Sequence, residues 1–140
     1  MIDTIKYGFT GTRTGLNNTQ KDKINKLFEE NIKQNKTIEI HHGDCVGADS
    51  EIHAICEKII NKYENMKIII HPPSDKKLRA FCKSSLICDP KPYLKRNKDI
   101  IDGTDILIAC PYSNEEQLRS GTWSTIRYAK KKNKQILLFV

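Results

Sequence analysis

Five short apolar runs alternate with stretches of helical periodicity along this chain, and that alternation leaves few folds open to it. Residues 5–10, 37–42, 67–71, 105–110 and 135–140 read as strands. Residues 19 to about 34, 48 to about 63, 93–101 and 121 to about 132 read as the helices between them. Strands joined through helices pair in parallel, because a right-handed crossover is needed to bring the chain back. The runs Ile68-Ile69-Ile70, Ile106-Leu107-Ile108 and Ile136-Leu137-Leu138-Phe139 are apolar on both sides, as a sheet covered on both faces requires. The expected fold is therefore α/β and Rossmann-like: a doubly wound five-stranded parallel sheet in the order 3-2-1-4-5, with helices on both faces. The order reverses between the first and fourth strands. The crevice beyond their carboxyl ends is where such a sheet binds ligands.

Local signals mark the elements. In the first helix Ile24, Leu27, Phe28 and Ile32 recur at helical spacing, and Thr19-x-x-Asp22 resembles a capping box. In the second, Ile52, Ile55, Cys56, Ile59, Ile60 and Tyr63 form one stripe, and Asp49 reads as the N-cap. Pro72-Pro73 stops the third strand. Residues 72–92 hold four of the five prolines and read as a long loop with one helical turn near residues 78–81. A loop of that length inside a domain is often a lid or a contact surface.

Composition narrows the class. A chain of 140 residues suits one domain, here residues 1–140 throughout. With 38% hydrophobic and 29% charged residues it can bury a core and is not of disordered composition. No apolar run approaches the roughly 18 residues of a membrane span. Residues 1–6 lack a basic region followed by an apolar stretch, so no leader is expected and the reading is cytoplasmic. Cysteines at 45, 56, 82, 88 and 110 are odd in number and never spaced C-x-x-C, which argues for reduced thiols; Cys56 and Cys110 read as small core residues. His41, His42, His53 and His71 show no helical ligand spacing, so no metal is expected. The net charge of +7 suits an anionic partner, or equally a lysine-rich solvated surface.

Two loops would flank the crevice: Thr10-Gly11-Thr12-Arg13-Thr14-Gly15 after the first strand, and Arg119-Ser120-Gly121-Thr122-Trp123 opening the last helix. Glycine lets backbone amides approach a ligand, a helix N-terminus offers free N–H donors, and hydroxyls with arginine suit phosphate. A third loop, Gly43-Asp44-Cys45-Val46-Gly47-Ala48-Asp49, opens the second helix. Asp44 is placed there to meet a ribose hydroxyl, while Asp49 reads as a cap. Trp123 suits either base stacking or the core. Arg127 and Lys130-Lys131-Lys132 fit the cation-favouring end of a helix.

Gly11-Thr12-Arg13, Gly43-Asp44-x-x-Gly47-Ala48-Asp49, Arg96-Asn97 and Ser120-Gly121-Thr122-Trp123 with Tyr128-Ala129 resemble, in that order, the SLOG superfamily. Its members include cytokinin-activating phosphoribohydrolases, the DNA-processing protein of natural competence, and nucleotide sensors of antiviral defence. The resemblance implies a modified Rossmann fold with nucleotide over the Gly-Thr helix entrance, and pairing into a homodimer or higher oligomer. It implies that Gly11 and Thr12 contact ligand, and that Arg96 stands where the phosphoribohydrolases have the arginine of M-x-x-R-K. Ser120, Gly121 and Thr122 match the end of P-G-G-x-G-T. Those enzymes then carry a catalytic Glu where this chain has Thr125.

The expected function is therefore binding of a phosphate-bearing nucleotide or nucleotide-derived signalling ligand, as sensor, carrier or sequestering module, with no cofactor. The second reading is an N-glycosidase acting on nucleoside monophosphates, for which Asp44, Asp99, Glu115 and Glu116 are the free carboxylates. Single-strand nucleic-acid binding is a weaker third, since aromatic residues make up only 7% of the chain.

Overall fold

The computed structural model describes residues 3–140. In chain order the elements are β1 (Thr4–Gly11), α1 (Asn18–Lys33), β2 (Thr37–His42), α2 (Ala48–Tyr63), β3 (Met66–Ile70), β4 (Leu86–Ile87), α3 (Tyr93–Asp102), β5 (Ile106–Cys110), α4 (Gly121–Lys131) and β6 (Gln135–Leu138). All strand pairs are parallel, in the order β4-β3-β2-β1-β5-β6. The five expected strands take their expected order within it. The sheet differs from that expectation by a sixth strand at its edge. Leu86 and Ile87 pair with Ile69 and Ile70, held by Ser84 Oγ donating to the Ile68 carbonyl at 2.6 Å and the Cys88 amide donating to that of Ile70 at 2.8 Å. Two residues are too few to show a period, so this strand has no signature in the sequence.

Alternation along the strands builds two cores. Tyr7, Phe9, Ile38, Ile40, Ile68, Ile70 and Ile108 face α1 and α2, where Ile24, Phe28, Ile52 and Cys56 meet them. Leu107 and Ala109 face the other way, onto Ile101 of α3 and Trp123, Ile126 and Ala129 of α4. Trp123 is thus a core residue.

Three local expectations need correcting. The capping box of α1 is Asn17 with Gln20, not Thr19 with Asp22: Asn17 Oδ1 accepts the Gln20 amide at 2.7 Å and Gln20 Oε1 accepts the Asn17 amide at 2.9 Å. Buried Gln20 also donates Nε2 to the carbonyls of Pro111 and Phe139, which fixes α1 to the ends of β5 and β6 and selects this register. Gly47, not Asp49, caps α2, and Asp49 lies inside its first turn. The helical turn of the long loop is a 3-10 turn at Lys76–Leu78, set by Asp75 accepting the Lys77 amide at 3.0 Å, and not at residues 78–81. No helix among the described residues is long and apolar enough to cross a membrane.

Candidate functional site

A cleft of about 400 Å³ opens at the carboxyl ends of β1, β2 and β5, between the N-termini of α2 and α4 and beside α3. It is built by close approach of three loops. The Thr12 carbonyl accepts the amides of Gly15 at 3.2 Å and Ala48 at 3.0 Å, which seats the start of α2 on the loop after β1. Gly47 makes this approach possible. Its φ is +96°, and a Cβ there would collide with the backbone of Arg13.

The cleft gathers Gly11, Thr12, Arg13, Gly43, Arg96, Asn97, Arg119, Ser120, Gly121 and Thr122 from four separate stretches of chain. Every residue expected at the site lies on its wall except Asp44. The roles differ from one to the next. In α4, Ser120 Oγ accepts the Trp123 amide at 3.3 Å, whereas the amides of Gly121 and Thr122 have no partner among the described residues. A Cβ on Gly121 would meet nothing within 4 Å, so the space in front of it is open. Arg13 and Arg119 are exposed and enter no ion pair among the described residues.

Arg96 is different. It is buried, and its guanidinium donates Nη1 to the carbonyls of Gly43 and His71 (the latter at 3.0 Å) and Nε to Asn97 Oδ1 at 2.7 Å. Gly43 lacks a side chain because a Cβ would strike that guanidinium. Arg96 is a strut that holds the loop after β2 against α3, and it lends the cleft positive charge with most of its donors already engaged, Nη2 meeting only Cys45 Sγ at 3.5 Å.

Asp44 is corrected most sharply. It is fully buried below the cleft, with Oδ2 accepting from Arg79 Nε at 2.9 Å and Oδ1 from the Cys82 amide at 2.8 Å. A carboxylate spent on these donors does not meet a ribose. Asp49, read from sequence as a cap, lies on the cleft wall instead. Its Oδ2 accepts the Cys45 amide at 3.1 Å. Burial pushes its pKa up to about 6, against the opposing pull of Arg96. The apolar side of the cleft comes from Val46, Leu78 and Tyr93, and the half-buried Cys45 thiol there is held protonated by burial. The only sequence sign of Leu78 was the length of the loop that carries it, and Tyr93 was legible only as the start of a helix.

Chain spacing concealed two histidine pairs. On one face His41 Nδ1 lies 2.8 Å from His71 Nε2, with Glu39 on the other ring nitrogen of His41 at 2.7 Å. On the opposite face His42, His53 and Cys82 bring ligand atoms within 4.8 Å of one another. Hydrogen bonding shows that this trio does not fit a metal. The Asp44 amide donates to His42 Nδ1 at 3.0 Å, so the single proton of His42 is on Nε2, directed at His53 Nδ1 at 2.8 Å. A metal on His42 would displace that proton and leave an imidazolate, whereas ligating histidines keep an N–H on the far nitrogen. Burial and neighbouring cations lower the pKa of His42 to about 3, which keeps the ring neutral.

No known family model matches this chain, and no curated protein is recognisably similar to it.

Proposed function

We propose that this protein acts in the cytoplasm as a SLOG-type binding module for a phosphate-bearing nucleotide or nucleotide-derived signalling ligand, seated in the cleft between β1 and β5. One observation carries the reading. The free amides of Gly121 and Thr122 at the start of α4 open onto the same space as the Thr12–Arg13 loop and Arg119. Helix N-termini attract anions through unsatisfied N–H groups and the helix dipole, and two unpaired arginines add charge-assisted donors. The five free thiols suit a reducing compartment. Exposed Tyr93, Leu94, Tyr112 and Leu118 beside the cleft favour self-association, which sedimentation at micromolar concentration tests.

The direct test is calorimetry with a panel of nucleoside phosphates and dinucleotides, run on wild type and Gly121→Asp. The space in front of Gly121 admits the new side chain without a clash, so the variant folds and presents a carboxylate to the phosphate seat. Binding by wild type and none by the variant is expected. No binding of any panel member, or equal affinity in both proteins, refutes the reading.

A further inference from the structure

A cleft dressed for an anion holds one carboxylate on its wall. Asp99 pairs with Lys91, Glu116 with Arg127, and Asp44 with Arg79, and among the described residues only Asp49 lines the cleft as an acid. An ionised carboxylate accepts hydrogen bonds and repels phosphate. Whatever part of a ligand lies against Asp49 must therefore donate hydrogens and must not be the phosphate itself.

Position narrows that part further. Asp49 belongs to the first turn of α2, and the residue before it is bonded through its amide to the Thr12 carbonyl. Asp49 is thus next to the loop that carries Thr12 and Arg13, while Val46, Leu78 and Tyr93 provide the apolar surface suited to a base. In a nucleotide the group one step from the phosphate is the sugar, and its vicinal hydroxyls are paired donors.

We infer that Asp49 reads the ribose: the cleft selects ribonucleotides whose 2′- and 3′-hydroxyls donate to this carboxylate, and it disfavours 2′-deoxy forms and forms phosphorylated at either hydroxyl. The inference rests on the phosphate-binding reading above. A buried acceptor built to meet a hydroxyl rejects an analogue lacking it, because the acceptor is left unpaired. A second phosphate at that place meets like charge. Arg96 from α3, Asp44 and Cys45 from the loop before α2, and Cys82 from the loop after β3 are the charged or titratable groups around Asp49. With burial holding its pKa near 6, the accepting form dominates at neutral pH and is lost below that value, so the ribose preference fades in acid.

The experiment is calorimetry at neutral pH with inorganic phosphate, ribose 5-phosphate, 2-deoxyribose 5-phosphate, and the 5′-monophosphates of adenosine and 2′-deoxyadenosine. Each ribose form is expected to bind about tenfold or more tightly than its deoxy counterpart, the loss of a hydrogen bond to a charged group. Asp49→Asn is expected to narrow that gap. The wild-type ratio needs no variant, so a misfolded Asp49→Asn does not obscure the answer. Equal affinity for ribose and deoxyribose forms overturns the inference and leaves the phosphate seat standing. No binding of any phosphate, inorganic included, overturns the binding reading and this inference with it.

Discussion

Nε of Arg79 donates to Oδ2 of Asp44 across 2.9 Å, joining the loop after β3 to the loop after β2 beneath the cleft. The guanidinium also lies over the Phe81 ring, 4.5 Å from its centre. The Ala80 amide donates to the Asp44 carbonyl at 2.7 Å, and that of Val46 to Leu78 at 3.1 Å. The long proline-rich segment is therefore fastened where it supplies Leu78 to the site. Arg79→Ala strands a fully buried carboxylate with one amide for company. The variant should lose about 3 kcal/mol of stability, as for other buried pairs broken on one side, read from urea unfolding.

Two arginines of the cleft should separate cleanly on substitution. Arg96→Ala removes a buried strut and leaves the carbonyls of Gly43 and His71 unpaired, so it should cost about 3 kcal/mol or more of stability. Arg13→Ala touches an exposed side chain and should change stability by no more than about 0.5 kcal/mol. Its effect should fall on ligand affinity, by about 1.5–3 kcal/mol for a charged donor. Unfolding curves and calorimetry on the same pair of variants check both statements.

Stability should fall in acid. The pKa of His42 is lowered to about 3 and that of His71 to about 4, chiefly by burial. Both stay neutral in the folded protein while the unfolded chain takes up protons below about 6.5. Their contribution is complete above that value and drains away as pH falls. Asp49 works in the opposite sense. Its folded pKa of about 6 exceeds the unfolded value, so its penalty is felt above pH 6 and relieved as pH drops toward 4. Two histidines against one aspartate leave a net of one proton in this window, a slope of about 1.4 kcal/mol per pH unit. Urea midpoints between neutrality and pH 4 should decline accordingly, and a flat profile contradicts neutral His42 and His71.

The sequence made the sheet legible because five strands are long enough to show an apolar run or alternation and four helices long enough to show a stripe. Leu86–Ile87 lacks that length. It also exposed the cleft, since Gly11, Arg13 and Ser120–Thr122 occupy strand-to-helix turns at the point where strand order reverses. What it did not expose was direction. Asp44 in the loop before α2 and Asp49 in that helix's first turn are five residues apart, and either could face a ligand. Asp44 turns inward because its φ of +55° and the distant Arg79 and Cys82 take it there, and no local pattern announces partners some 35 residues away. The same holds for His42 and His53, whose contact is made by a helix folding back over its sheet.

Catalysis is the last and sharpest test. The phosphoribohydrolases of the superfamily that the sequence motifs resemble carry a glutamate at the position of Thr125, yet here Thr125 does not line the cleft. It is buried, donates Oγ1 to the Gly121 carbonyl at 3.0 Å, and borders a separate groove of about 170 Å³ with Leu94, Lys98 and Tyr128. The absence of a positioned acid–base group typically removes about 10²–10⁴ in rate. Wild type should therefore release little or no free base from nucleoside monophosphates, and Thr125→Glu should not create the activity, because the new carboxylate enters the wrong groove. Binding should survive in both proteins. Chromatography of reactions with purine and pyrimidine monophosphates decides the matter. Brisk turnover by wild type that Asp49→Ala abolishes would make Asp49, the carboxylate on the cleft wall, the acid–base group of an N-glycosidase, and the binding-module reading would give way to that enzyme.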